Sequence, residues 1–318
     1  MKGFDAEFRD LDHYIRVITK RIWEGRRVGD VRRYYSSDCA VETPSAISTD
    51  VQSVIKGTLE TLAVFPDRQL LAEDILVSGD EHGGFLSSHR IMSPMTHAGA
   101  GAFGMASHRR VHARTIADCV CKDNRIVHEW LVRDQAAIAR QIGIAPAELA
   151  QRWLNERGGF NKPSMPPAPA GYQSFIDTDS LARQYSDLAQ RLWLQADVAA
   201  IDETHDRAAA VVVPGGDTLF GRAEVQHFWT GLLASFPRAE LSVEHLVTNR
   251  RAGRCDAVAM RWRVRATHQG TGRFAAPTGR PVEILGISHA EFIDGRIVRE
   301  WLLMDDVALW MQILSPQN

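Results

Sequence analysis

The chain repeats itself at a fixed offset. Adding 171 to a residue number maps Phe65-Pro66 onto Phe236-Pro237, Thr96-His97 onto Thr267-His268, and Gly99, Gly101 and Phe103 onto Gly270, Gly272 and Phe274. The same offset of 171 carries Arg109 and Val111 to Arg280 and Val282, Glu129-Trp130-Leu131 to Glu300-Trp301-Leu302, and Asp134 to Asp305. It also carries Gln141-Ile142 to Gln312-Ile313. One offset without gaps over such a stretch requires two copies of one folding unit. Nearer the start, Trp23 and Trp193 are 170 apart, so a single insertion or deletion separates the N-terminal parts.

At 318 residues the chain is too long for one ordinary core and suits two domains. The boundary is legible in composition. Residues 158–171 hold four of the 13 prolines and three glycines, which excludes a helix or a central strand there. Pro146 to Glu156 reads as a helix just before it. The expected division is therefore a first domain at 1–145, a helix and linker at 146–171, and a second domain at 172–318.

Each half opens with helical spacing of apolar residues, Leu11 to Trp23 and Leu181 to Leu194, and closes with strands. Met260 to His268 alternates strictly, with Met260, Trp262, Val264 and Ala266 on one face and Arg261, Arg263 and Arg265 on the other. Val282–Ile293 and Arg296–Leu303 form a hairpin around Asp294-Gly295; Val111–Lys122 and Arg125–Val132 repeat it around Asp123-Asn124. With a two-residue turn, Trp301 faces Ser288 and Asp305 faces Ile284, and Trp130 faces Ala117. The indole and the aspartate then share a pocket face and the glutamate lies opposite.

Several function classes drop out. A net charge of −2 leaves no electrostatic footprint for nucleic acid. No apolar run is long enough to span a membrane, and the first twenty residues carry no apolar signal core. Cys39, Cys119, Cys121 and Cys255 do not form a matched disulfide framework, so a cytoplasmic location is expected. His108 and His112 stand too far apart on extended chain to share a metal, and no phosphate-binding glycine loop or nucleophile elbow is present. No metal or cofactor is expected.

The remaining chemistry is carboxylate and imidazole. Asp134 and Asp305 are either helix N-caps or acid/base groups in an apolar pocket, where desolvation raises a carboxyl pKa toward neutrality. Trp130 and Trp301 are either core or walls of a ligand cavity. His89, Ser93 and His97 share a face whose counterparts are Met260, Val264 and His268. The first copy is the more polar, through polar duties or through drift.

Taken together, Phe236-Pro237, Thr267-His268-x-Gly270, Pro277-Thr278-Gly279-Arg280-Pro281-Val282, Asp294-Gly295-Arg296-Ile297 and Glu300-Trp301-x-x-x-Asp305 with Gln312 resemble SnoaL-like domains, of polyketide cyclase or ester cyclase type. These belong to the nuclear-transport-factor-2-like superfamily. The resemblance covers most of 178–314. The first half is similar through Glu129-Trp130-x-x-x-Asp134 and Gln141-Ile142-Gly143, but has Ala106-Ser107-His108 in place of Pro-Thr-Gly.

The resemblance implies an α+β fold of two cone-shaped domains, each a curved mixed sheet wrapped around N-terminal helices with an internal cavity. It further implies a cofactor-independent lyase or isomerase that abstracts a proton beside a carbonyl. Asp134 and Asp305 would be the acid/base groups. His97, His268, Trp130 and Trp301 would shape the cavities, with His89, His112, Trp23 and Trp193 as further contacts. The partner would be a small hydrophobic or carbonyl-containing molecule, and the domains would pair as an intramolecular pseudo-dimer, with further homo-oligomerisation open. Two alternatives stand beside this: a non-catalytic ligand-binding or assembly protein, and one catalytic domain with one structural copy.

Overall fold

The computed structural model describes residues 1–167, 172 and 174–316. The chain divides into two compact units, Met1–Leu149 with Asn161–Gln173, and Ala150–Phe160 with Ser174–Asn318. Residues 168–171 of the expected linker lie outside the described residues. No helix among the described residues is long and apolar enough to cross a membrane.

The first unit runs α1 (Leu11–Thr19), α2 (Val31–Tyr34), β1 (Tyr35–Thr43), β2 (Ala46–Ser48), α3 (Val51–Val64), β3 (Leu71–Asp80), β4 (Gly84–Thr96), β5 (Arg110–Lys122), β6 (Arg125–Arg133) and α4 (Gln135–Ile142). Helix α5 (Pro146–Arg157) follows. The second unit repeats the plan with α6 (Ser180–Gln195), α7 (Ala200–Thr204), β7 (His205–Val212), β8 (Thr218–Phe220), α8 (Gly221–Ser235), β9 (Ala239–Asn249), β10 (Asp256–Thr267), β11 (Pro281–Ile293), β12 (Arg296–Met304) and α9 (Asp306–Leu314). Each unit has one open six-stranded sheet, ordered β2-β1-β6-β5-β4-β3 and β8-β7-β12-β11-β10-β9. The pairs β1–β6 and β7–β12 are parallel and the rest antiparallel, so each sheet is mixed. The α+β architecture expected from the resemblance holds in both copies.

Local chemistry explains the elements. Asp10 caps α1 by accepting from the His13 amide at 2.7 Å, and Asp179 caps α6 by accepting from the Leu181 amide at 2.8 Å. The expected first helix reaches Trp23, but it widens after Thr19 into a π-helical turn, Lys20–Glu24. Both hairpin turns are of the mirror-image type suited to twisted strands: φ is 48° and 64° at Asp123-Asn124, and 49° and 73° at Asp294-Gly295.

One expectation of register is overturned. Next to each turn the pairing is as expected, Lys122 with Arg125 and Ile293 with Arg296. Then a β-bulge at Val127 and at Val298 inserts one extra residue on the second strand. Beyond it Trp301 pairs with His289, Glu300 with Ala290, Trp130 with Asp118, and Glu129 with Cys119. The side-chain period of a strand is two, so a one-residue slip exchanges the faces. The glutamates, not the tryptophans, stand on the inner face of each sheet.

In the second unit that inner face packs against α6 and α8. Leu188, Leu192 and Trp193 of α6 and Phe228, Trp229 and Leu232 of α8 share one buried core with Met260, Trp262, Val264, Ala290 and Leu302 of the sheet. Trp262 pairs with Gly286, and its indole lies over that glycine: a Cβ there would sit 2.1 Å from Cζ2. In the first unit Tyr14, Ile18 and Ile22 pack with Tyr35, Cys39, Ala117, Cys119, Cys121 and Ile126. All four cysteines are free.

The last helix of each unit docks through one glutamine. Gln141 accepts from the His112 amide (2.9 Å) and donates to the His112 carbonyl (2.7 Å); Gln312 does the same at Glu283 (2.7 and 2.9 Å).

The loop between the fourth and fifth strands is fastened alike in both copies. Ser107 Oγ lies 3.0 Å from His97 Nδ1, and Thr278 Oγ1 lies 3.1 Å from His268 Nδ1. Ser107 and Thr278 are equivalent, so the first copy keeps the hydroxyl while losing the Pro-Thr-Gly motif. The next residue has positive φ in both copies, +56° at His108 and +70° at Gly279. Gly279→Ala is therefore expected to cost about 1–2 kcal/mol by placing a Cβ in the left-handed region. Denaturant unfolding measures it, and a cost at or near zero would remove the need for glycine at that turn.

Candidate functional site in the first domain

The bulge decides what each inner face presents. Glu129 projects inward from β6, buried, and its carboxyl is pushed up to about 7, chiefly by desolvation; the Tyr35 hydroxyl and the charge of Arg133 pull the other way. The Tyr35 hydroxyl donates to Glu129 Oε2 at 3.0 Å. No other hydrogen bond reaches this carboxyl among the described residues, so Oε1 remains for a proton. A buried carboxyl balanced near neutrality has the character of a general acid or base.

Around it the inner face is unusually polar. His89 pairs with Ile75 and Ala117, and Ser93 with Ala113. Thr115 pairs with Ile91 and with Arg133. The His89 ring is pushed down to about 3, first by burial and then by the charge of Arg16, so it is neutral at pH 7. His89 Nε2, Ser93 Oγ and Thr115 Oγ1 are buried without a hydrogen-bond partner. Buried polar atoms without partners are costly, and a fold that keeps a group of them on one face has a use for them.

The equivalent place in the second domain is built differently. Glu300 accepts from the Tyr185 hydroxyl at 2.6 Å, and its other oxygen lies 3.1 Å from His205 Nε2. Thr204 spends its hydroxyl hydrogen on the Ala200 carbonyl, so it can only accept from His205 Nδ1. Met260, Val264 and Gly286 stand where the first copy has His89, Ser93 and Thr115. Trp193, Trp229, Trp262, Ser288 and Glu300 enclose a cavity of only about 20 Å³, room for one water.

The other expected site residues fall elsewhere. Asp134 Oδ1 accepts from the Ala137 amide at 2.9 Å, capping α4; Asp305 Oδ1 accepts from the Val307 and Ala308 amides at 2.9 and 3.3 Å, capping α9. Replacing either by Ala is expected to cost about 1 kcal/mol by loss of the cap. Thermal unfolding tests this, and an unchanged midpoint would remove the capping role. Trp130 lies on the outer face with its ring centroid 4.3 Å from that of His128, and half-buried Trp301 lies on the outer face beside His289. His112 is exposed on the outer face.

His97 and His268 pack on Phe65 and Phe236 at centroid distances of 5.6 and 5.7 Å, where they fasten loops. Burial lowers the pKa of both rings. The Ser107 amide donates to His97 Nδ1 at 3.3 Å, which leaves the proton of the neutral ring on Nε2. Trp193 lies in the second core with Trp229 and Trp262 at centroid distances of 5.4 and 5.8 Å, and half-buried Trp23 packs beside the first. Of the expected contacts, His89 alone shares the inner face with Glu129. Among the described residues no group of three or more His, Cys, Asp or Glu is arranged to hold a metal ion.

Three solved structures illustrate the relatives. A protein from Jannaschia sp. CCS1 described as a SnoaL-like polyketide cyclase is 20% identical, covering 44% of this chain and 99% of its own, with a TM-score of 0.37. IdmH from Streptomyces antibioticus, described as a polyketide cyclase, is 24% identical over 42% of this chain and 99% of its own, with a TM-score of 0.36. AclR from Streptomyces galilaeus, described as a hydroxylase, is 24% identical over 42% and 97%, with a TM-score of 0.36. No curated protein sequence matches the chain. The family model of the SnoaL-like polyketide cyclase matches residues 14–142 and again 182–313, so the chain belongs to the SnoaL-like polyketide cyclase family and carries that domain twice.

Proposed function

We propose that the protein is a cofactor-independent cyclase or isomerase in which the first domain reacts and the second is a structural copy. Family membership supports a cyclase- or isomerase-type function in general. The observation that carries the finer reading is the contrast between two equivalent carboxyls. Among the described residues Glu129 keeps an oxygen without a hydrogen bond beside His89, Ser93 and Thr115, whereas Glu300 has both oxygens engaged.

In this reading Glu129 takes a proton from carbon beside a substrate carbonyl. The C–H electron pair becomes the enolate, and the proton returns from Glu129 to carbon or to the product oxygen. A carboxylate alone can remove only an already acidified proton, so the substrate is a β-dicarbonyl or similarly activated compound. The resemblance assigns this task to Asp134 instead, and the two are separable. The test is solvent-deuterium incorporation into a panel of β-keto esters, followed by proton NMR. Enzyme-dependent exchange that Asp134→Asn retains and Glu129→Gln loses supports the proposal. Exchange that survives Glu129→Gln, or its absence across the panel, overturns it.

A further inference from the structure

We propose that α3 is the lid of the first domain, a helix whose N-terminal half unwinds and undocks to admit substrate to Glu129. Its service to Glu129 rests on the function proposed above; its mobility does not. The two copies of this helix are held differently. At the C-terminal end both are anchored alike. The amides of Ala98 and Gly99 donate to the Val64 carbonyl at 3.1 and 3.0 Å, and those of Gln269 and Gly270 to the Ser235 carbonyl at 3.2 and 3.3 Å. At the N-terminal end α8 is clamped. Arg222 donates to the His205 carbonyl through Nε and Nη2 at 2.9 and 2.7 Å, and Gln226 donates to Asp202 Oδ2 on α7 at 3.0 Å. The offset of 171 puts Val51 and Ile55 at those places in α3, and neither side chain can make such a bond. Among the described residues the N-terminal half of α3 has one side-chain bond to another element, from exposed Arg32 Nη2 to Gln52 Oε1 at 3.0 Å.

Packing follows the same division. Val225, Phe228, Trp229, Leu232 and Leu233 form the core-facing stripe of α8, and all are buried. On α3 these places hold Val54, Gly57, Thr58, Thr61 and Leu62. Two aromatic rings and a leucine have given way to a glycine and two threonines. Of the five only Thr58 is buried; Val54, Thr61 and Leu62 are half-buried and Gly57 is exposed. Solvent therefore reaches a stripe that is dry in the duplicate. Each large apolar side chain missing from such a stripe forgoes its hydrophobic stabilisation, and a glycine in mid-helix weakens the helix further. An element with few buried apolar contacts and no clamp opens more readily than the rest of its domain.

The loosened half lies over the reacting group. Val51 is buried in one core with Tyr35, Cys39 and Cys119. Tyr35 donates to Glu129, and Cys119 is its cross-strand partner. Undocking of Val51 through Gly57 therefore uncovers a carboxyl that is 7% exposed with the helix in place. A buried acid or base that serves a small molecule needs an opening of this kind, and the copy assigned no reaction keeps the clamp.

The test is hydrogen–deuterium exchange of the full chain, read on peptides of α3 with α8 as the reference in the same molecule. Amides of 54–62 are expected to exchange roughly ten-fold or more faster than those of 225–233 after correction for intrinsic rates. Low concentrations of urea should change the α3 rate little, because a local opening exposes little surface. Gly57→Ala adds a Cβ that meets nothing within 4 Å, so it favours the helical state without a clash. It should slow α3 exchange about five-fold, the equilibrium factor for alanine in place of a helix-interior glycine. KM for C–H exchange should rise by the same factor with kcat unchanged, since the competent population falls. Protection of α3 equal to that of α8, a urea dependence equal to that of global unfolding, or slowed α3 exchange with an unchanged KM in Gly57→Ala overturns the proposal. If no β-keto ester exchanges, the reaction reading falls on its own and the lid is judged by iodoacetamide alkylation of Cys39 and Cys119. Gly57→Ala should slow that alkylation about five-fold, and an unchanged rate overturns the lid.

Discussion

Glu129→Gln is expected to lower kcat/KM for exchange of an activated C–H by about 10²- to 10⁴-fold, the range associated with removing a general acid or base. Glu300→Gln should leave it within about two-fold, since that carboxyl is bonded on both oxygens. The amide keeps the size of the carboxyl and can still accept from Tyr35, so the loss reports chemistry and not packing. Two pH signatures accompany it. The exchange rate of the unaltered protein should rise as pH passes through about 7, where Glu129 gives up its proton.

Stability should move the other way. The folded-state pKa of Glu129 lies above its ordinary carboxylate value, so between the two the folded state holds the proton more tightly than the unfolded chain does. That contribution is fully present below the unfolded pKa and is lost as pH rises to about 7. Glu129→Gln should therefore gain on the unaltered protein as pH rises, by about 3 kcal/mol at most, levelling off above about pH 7. Chemical denaturation at several pH values measures this. A constant difference across pH would mean that Glu129 is not the buried carboxyl titrating near neutrality.

The second large effect lies in the other domain and concerns volume. Trp262→Ala should cost about 3–5 kcal/mol, the range for emptying an aromatic site in a packed core. Gly286→Ala should cost about 1–3 kcal/mol from the opposite cause, because its new methyl enters space held by the indole. The first domain solves the same position with Ile91 beside Thr115. Combining Trp262→Ile with Gly286→Thr should therefore recover part of what each change loses alone. Denaturant midpoints of the singles and the pair form a double-mutant cycle. Strict additivity would show that the tryptophan and the glycine do not fit one another as described.

Much of this was readable before any coordinates. The offset of 171 located both copies; the alternation around Met260, Trp262 and Val264 placed them on the inner face; and the hairpin turns fell at Asp123-Asn124 and Asp294-Gly295. What could not be read was the bulge. Val127 and Val298 are ordinary strand residues, and a bulge of this kind needs no glycine to mark it. Without it the parity of Glu-Trp-x-x-x-Asp points the indole inward and the carboxyl outward, the reverse of the fold.

The polar face of the first copy did leave a signal: compared copy with copy, His89 and Ser93 stand where the second has Met260 and Val264.

The bulge also dates itself. It occurs at the same place in both hairpins, so the ancestral single domain already carried it when the gene was copied. Every later substitution in either half was screened against a strand whose polarity it had set. Excising Val127 or Val298 would keep a hairpin of nearly the same length and turn it inside out, sending an indole into the interior of either domain. Insertions of one residue are usually regarded as noise at the margins of a sheet; in this lineage one of them chose which half of the alphabet the interior could draw on.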